Sequence, residues 1–179
     1  MIQTARLNLR RWREEDRAPY AALNADPEVA YWLGGEIGRE QSDRTIDRYR
    51  AHIDRHGFGR WAVERRADGL LIGSVGVMTV VDCDFSGFEL GWRLARPSWG
   101  QGYATEAAAA ALADTLNGQG LPEVIAFTSN RNLRSLAVMQ RIGMIRDPAR
   151  DFDHPLLPAD HLLSRHVVYV ARPRLITTA

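Results

Sequence analysis

Two glycines, Gly100 and Gly102, sit between an alternating apolar stretch and a run of alanines. Residues 88–107 read FELGWRLARPSWGQGYATEA. Phe88, Leu90, Trp92 and Leu94 alternate with Glu89, Gly91 and Arg93, the two-residue period of a strand. Residues 97–102 form a loop, and residues 103–117 predict a helix built from one of the best helix-forming compositions. A helix N-terminus exposes unpaired N–H groups and roughly half a positive charge. Glycines let an anion approach those groups without a Cβ in the way. The segment is built to hold an anion, a pyrophosphate above all.

Two familiar phosphate loops do not fit. A P-loop ends in Gly-Lys-Ser/Thr, and the chain has no lysine. That absence also removes a Schiff-base mechanism. A dinucleotide fingerprint needs Gly-x-Gly-x-x-Gly after the first strand of a βαβ unit. Here Thr105 stands at the third glycine, and an antiparallel meander comes before the loop. A mere tight turn is the plain alternative for the two glycines taken alone.

More of the chain bears on the choice. WGQGYATEA followed by SNRNLRSLAVMQRIGM resembles the GNAT-type N-acetyltransferase superfamily. TARLNLRRWREED, ADPEVAYW and the ELGWRL strand are similar to its RimJ/RimL-like branch, which contains ribosomal-protein N-terminal acetyltransferases. The resemblance spans nearly the whole chain. It implies an α+β GNAT-like fold in a single domain over 1–179, with a mixed six- or seven-stranded sheet: an antiparallel meander plus a parallel pair, flanked by helices. It implies acetyl-CoA as co-substrate and no metal. The family's Gln/Arg-x-x-Gly-x-Gly/Ala pattern falls on Trp99-Gly100-Gln101-Gly102-Tyr103-Ala104, with Trp99 departing at the first position. The resemblance implies that the amides of Gly100, Gln101, Gly102, Tyr103, Ala104 and Thr105 cradle the pyrophosphate. It sets the strand backbone around Trp92 to Leu94 along the pantetheine arm, like an added strand. It places Asn132 on the pantetheine region and Arg141 near the nucleotide phosphates.

Acetyl transfer needs a neutral amine, hence a base, and N–H donors facing the thioester oxygen. Alternation sets Glu89 on the face opposite Phe88, Leu90 and Trp92, and the resemblance gives an acid at this position the role of base, directly or through water. The alternative for Glu89 is a structural pair with an arginine such as Arg93. Asp84, Asp153 and His154 are weaker base candidates from flanking loops. Many members of the superfamily carry an acid tyrosine where this chain has Met139, which has no proton to give. Ser135, matching a serine of the branch, donates to the leaving sulfur or binds the co-substrate. A thiol of pKa about 8.5 leaves readily as thiolate near neutral pH, so a dedicated acid is dispensable.

Other residues favour plainer roles. Cys83, the single cysteine, lacks a readable His or Asp partner and reads as inert. His154, His161 and His166 do not match zinc spacing and read as structural or substrate-loop residues. Trp32 is a candidate for the acceptor cleft. Arg10, Arg11 and Arg13 are followed by Glu14, Glu15 and Asp16, which reads as a solvated face rather than an RNA patch.

The scaffold these groups require is also legible. Ala5, Leu7 and Leu9 alternate as a strand. Helices are expected over 13–24, from the turn at 26–28 through Tyr31 and Trp32, and over 39–56 as a solvent-exposed helix ended by Gly57. Strands 60–66, 70–81 and 88–94 form the meander, turned at Asp68-Gly69 and 83–87. A strand over 124–128 pairs in parallel after the helical crossover. A helix over 133–142 closed by Gly143, a strand from 144–146 and a last strand over 166–171 complete the chain.

The 179 residues suit one domain. A net charge of +1 argues against nucleic acid as partner. No apolar run of membrane-spanning length occurs, and 1–12 lack the apolar core of a signal peptide. With one cysteine, a reducing cytoplasm is the simplest setting. The expected function is direct acetyl transfer from acetyl-CoA to a primary amine, either a small molecule or a peptide N-terminus, by a monomer or homodimer. A catalytically weak or inactive acyl-CoA-binding sensor would need the same loop.

Overall fold

In the computed structural model, residues 34, 83–84, 159 and 174–179 lie outside the description. Cys83 and Asp84 are therefore not placed. The strands are β1 (Ile2–Gln3), β2 (Leu7–Arg10), β3 (Arg60–Arg65), β4 (Leu71–Asp82), β5 (Phe85–Leu94), β6 (Val124–Ser129), β7 (Ile145–Arg146), β8 (Phe152–Asp153) and β9 (Arg165–Ala171). The helices are α1 (Arg17–Asn24), α2 (Pro27–Ala30), α3 (Arg39–His56), α4 (Tyr103–Ala113) and α5 (Leu133–Arg141). The sheet runs β1-β2-β3-β4-β5-β6-β9-β7, with β8 paired to β9. The pairs are antiparallel except β5 with β6. Six strands have four residues or more; three two-residue strands bring the described sheet to nine.

Alternation distributes the sheet's side chains. Ser74 and Arg93 turn toward α1, where Ser74 Oγ lies 3.0 Å from Tyr20 Oη and Arg93 donates to Asn24 Oδ1 at 2.6 Å. Val75, Val77, Leu90 and Leu94 turn the other way and are buried against the alanine face of α4, where Ala107, Ala108 and Ala111 are buried. Gly73 and Gly76 have φ of +152° and +149°. A Cβ on Gly73 would overlap the Arg93 carbonyl, and one on Gly76 the Gly59 carbonyl. Only glycine serves at these two positions.

Helix α3 has the expected bounds, but only its charged face meets solvent: Ile46, Tyr49 and Ile53 are buried. The basic segment before α1 also differs from expectation. Arg10 is buried, donating to Asp16 at 2.7 and 2.9 Å and to Glu64 at 2.5 Å, whereas Arg11 and Arg13 are exposed. Arg10 lies on β2 itself, so pairing with β3 carries its side chain over the sheet.

His52 on α3 is a half-buried structural histidine. Its Nδ1–H donates to the Phe58 carbonyl at 2.9 Å, and its Nε2 accepts from the Thr79 amide at 3.1 Å. Burial pushes its imidazole below the usual range, and the charge of His56 adds to this against the Phe58 hydrogen bond. The fold therefore binds neutral His52. Its contribution is complete above the ordinary histidine pKa of about 6.5 and declines as pH falls below that value. Urea midpoints should be level from pH 8 to 7 and fall from pH 6.5 to 5. His52→Gln, less stable at pH 7, should show a shallower fall; an equal slope in both proteins would remove His52 as its source.

Candidate active site

The parallel pair β5–β6 is joined at one ladder position, Glu89 opposite Ile125. Beyond it the strands diverge, and the gap between them is the site. The Ala95 amide donates to Ile72 of β4. In an antiparallel ladder, polar groups alternate sides every residue. The amide and carbonyl of Trp92 and the amide of Leu94 therefore point away from β4, into the gap. The Leu94 carbonyl is taken by Trp99 Nε1 at 2.8 Å. The result is a strand edge with unpaired donors and acceptors inside the fold.

Two cavities fill the gap. The larger, about 840 Å³, runs from Trp92 and Leu94 past Gly100, Gly102, Tyr103, Ala104 and Thr105 to Arg141. The smaller, about 420 Å³, holds Arg60, Glu89, His154 and His166. Trp32, Trp92, Arg93, Asn132 and Ser135 line both, so the two spaces adjoin.

The glycine loop has the geometry the sequence predicts. Gly100 and Gly102 have φ of +74° and +79°, and Gly102 is the N-cap of α4 without a side-chain cap. None of the amides from Gly100 to Thr105 donates to another group among the described residues. Six N–H groups are left for an outside acceptor. Arg6 pins the loop from below: it donates to the Gln101 carbonyl at 2.9 Å and to Glu106 at 2.7 Å, and its guanidinium lies 4.6 Å from the Tyr103 ring. Burial works against the charge of Glu106, but hydrogen bonds from Thr4 and Arg6 outweigh it and hold the carboxyl below its usual range. The Gln101 side chain does not enter the cavity wall. It donates to the Pro97 carbonyl at 2.7 Å, since the loop turns it outward between the two glycines.

Helix α5 supplies the opposite wall. Asn132 is its N-cap and spends its Oδ1 on the Ser135 amide at 3.2 Å, which leaves Nδ2 to donate elsewhere. Ser135 Oγ has no hydrogen bond among the described residues. Arg134 and Arg141 are two helical turns apart on the larger cavity; Arg134 stacks 4.6 Å over Trp99, and Arg141 makes no ion pair among the described residues. Met139 is fully buried in the core and lines neither cavity, so this helix brings no acid group to the gap from that position.

Glu89 pairs with Arg60 at 3.4 Å, not with Arg93. Glu89 and Arg93 share a strand face but are four residues apart, about 13 Å along a strand. Arg60, Gly76 and Gly91 are opposite one another across β3, β4 and β5. A Cβ on Gly91 would overlap the Arg60 guanidinium, so that bare position lets the side chain lie across the sheet to Glu89. Arg60 Nε is buried without a partner among the described residues.

Asp153 is exposed, 3.5 Å from Arg165, and outside both cavity walls. His154 and His166 do reach the smaller cavity, with ring centroids 4.9 Å apart. His161 stays out of it. Among the described residues no group of three His, Cys, Asp or Glu is arranged to hold a metal. No helix among them is long and apolar enough to cross a membrane. Trp32 lines both cavities. The sequence did not announce Arg6, Arg60 or Arg134. For Arg134 a signal existed: with Val138 and Arg141 it follows the spacing of one helix face.

Comparison with known proteins agrees with this architecture. Residues 6–145 match the acetyltransferase (GNAT) domain family. The uncharacterized protein YkkB of Bacillus subtilis is 28% identical over 144 residues, 80% of this chain and 84% of that protein. An acetyltransferase from Agrobacterium tumefaciens, 28% identical, superposes with a TM-score of 0.78 over 96% of this chain and 94% of its own. Mycobacterium smegmatis RimJ, solved with CoA-disulfide, shares the fold at 20% identity, with a TM-score of 0.75 over 97% of this chain and 85% of that one. The glycine loop, the split parallel pair and the match over 6–145 together show that the chain belongs to the GNAT acetyltransferase family.

Proposed function

We propose that this protein moves an acetyl group from acetyl-CoA to a primary amine by direct attack, with both substrates bound at once. The observation that carries the reading is the gap opened where β5 and β6 part after Glu89: of its two adjoining cavities, one is lined by the glycine loop and the other by a carboxylate. The amides of Gly100, Gln101, Gly102, Tyr103, Ala104 and Thr105 hold the diphosphate, with Arg141 and Arg134 flanking it. The Trp92 and Leu94 edge and Asn132 Nδ2 bind the amide groups of the pantetheine arm, as a strand would be bound. Acetyl-CoA supplies an activated thioester. The Trp92 amide, unpaired on this edge, is a donor for its oxygen as charge builds there, which leaves the Trp92 carbonyl and Leu94 amide to the pantetheine arm. Glu89 takes a proton from the amine, directly or through a water, and the Ser135 hydroxyl donates to the departing sulfur. Direct attack forms no acyl-enzyme, so the scheme uses no cysteine nucleophile.

The acceptor is a small amine or a peptide N-terminus. Around the smaller cavity Arg60 and Arg93 offset Glu89, and Trp32, Phe127, Leu157 and Leu163 contribute apolar wall. This lining supports a monoamine with an apolar body over a polycation.

Calorimetry should show CoA and acetyl-CoA binding, and a thiol-release assay with an amine panel should show turnover. Failure to bind CoA would end the reading. Binding without thiol release from any amine would leave only an acyl-CoA sensor.

A further inference from the structure

Acetylating an amine that arrives as an ammonium removes two protons from one nitrogen. The first frees the lone pair; the second leaves as the amide forms. Glu89 accounts for one of them. We propose that Nε2 of His166 accepts the other, so that the last strand of the fold contributes a second general base to the acceptor cavity. The proposal rests on the transferase reading given above.

His166 Nδ1 lies 3.0 Å from the Ser164 carbonyl. A carbonyl oxygen only accepts, so the hydrogen is on Nδ1 and the neutral ring carries its lone pair on Nε2. Nε2 has no hydrogen-bond partner among the described residues. The ring is held in place: it stacks on Phe152 with centroids 5.4 Å apart and planes at 27°, and it meets Phe127 edge-on at 6.0 Å. It lines the cavity that contains Glu89. Burial keeps the imidazole below its ordinary range, against the pull of the Ser164 hydrogen bond, so the ring is neutral and able to accept at pH 7.

The charged and titratable groups around it are few. Asp153 ends β8 and His154 follows it, Arg165 precedes His166 on β9, and Glu89 and Arg60 stand on the β3–β5 side of the cavity. Strand β6, opposite, brings Phe127, Thr128 and Ser129 and no charge. In the step itself, the amine lone pair forms the C–N bond, the C–S bond breaks, and sulfur leaves with the electron pair as thiolate. One proton of the original ammonium is then on Glu89 and the other on His166 Nε2. Both return to solvent, and the thiolate is protonated from it.

Two measurements test this. Long-range proton–nitrogen spectra of the full chain at pH 7 should show His166 protonated at Nδ1 and bare at Nε2. A ring protonated at Nε2 overturns the proposal. For kinetics, acetyl-CoA is paired with phenethylamine, leucine, spermidine and an alanine-terminated peptide, and the fastest acceptor is carried forward. His166→Asn keeps an amide able to donate to Ser164. It should lower kcat/KM about 10²-fold at pH 7 with CoA affinity unchanged. The deficit should narrow toward pH ~10, where an alkylamine arrives neutral and one proton fewer has to leave. A deficit constant across pH, or none, overturns the proposal while leaving the transferase reading standing. A wild-type protein that turns over none of the four amines overturns both.

Discussion

Gly102→Glu is expected to fold and to bind acetyl-CoA at least about 10²-fold more weakly than the unaltered protein. Gly102 has φ of +79°, a left-handed conformation that costs roughly 1–2 kcal/mol for a residue with a Cβ. A Cβ there meets only Arg6 Nη2, at 3.4 Å, so the fold has room for the substitution. The function does not. The new carboxylate would stand among the six free amides, competing for them and for Arg6. Two unit charges 4 Å apart repel by about 4 kcal/mol at an effective dielectric near 20, and each 1.4 kcal/mol is about tenfold in affinity. Gly102→Ala carries the backbone cost without the charge and should lose far less. Calorimetry on the two variants, with thermal midpoints as a folding check, separates repulsion from strain. Equal affinity for CoA in Gly102→Glu and the parent would mean that the diphosphate lies elsewhere.

This loop was legible because its chemistry is local. Glycine, chain reversal and helix start follow one another within a few residues, and each acts through backbone geometry. The same holds for α3, whose bounds follow from its apolar spacing and the Gly57 stop. The two-residue strands β1, β7 and β8 are too short to show a period; the first and last of these were not expected at all. The helix expected over 103–117 is an α-helix only to Ala113; over Asp114–Gly118, where Asp, Thr, Asn and Gly replace the alanines, the chain continues as a π-helical turn. Tertiary features were hidden for a different reason. That β5 and β6 meet at one position depends on the register and twist of the whole sheet, not on any residue's type. The partner of Glu89 was sought nearby in sequence, at Arg93, whereas the sheet supplies Arg60 from two strands away across the bare Gly91. The sequence leaves His166 as a structural or substrate-loop residue, because nothing in a single strand says which cavity it lines.

Glu89→Gln should cut kcat/KM by two to three orders of magnitude at pH 7, on the order of what positioned general bases contribute, with the CoA dissociation constant unchanged. The split follows from position: Glu89 lines the smaller cavity and not the larger one. Glutamine keeps the shape and a hydrogen-bonding oxygen but neither accepts a proton nor attracts an ammonium. Loss of rate with intact CoA binding therefore isolates the acceptor side of the reaction. One side effect has to be separated. Arg60, mostly buried, would lose its ion-pair partner, and a buried charge left unpaired destabilises a fold. The double variant Arg60→Met with Glu89→Gln removes that charge as well. It should regain thermal stability and remain slow, because stability and proton transfer depend on different atoms of the pair. If the double variant recovers the parent rate, Glu89 serves only to neutralise Arg60, and the base must be sought among the other groups of the cavity.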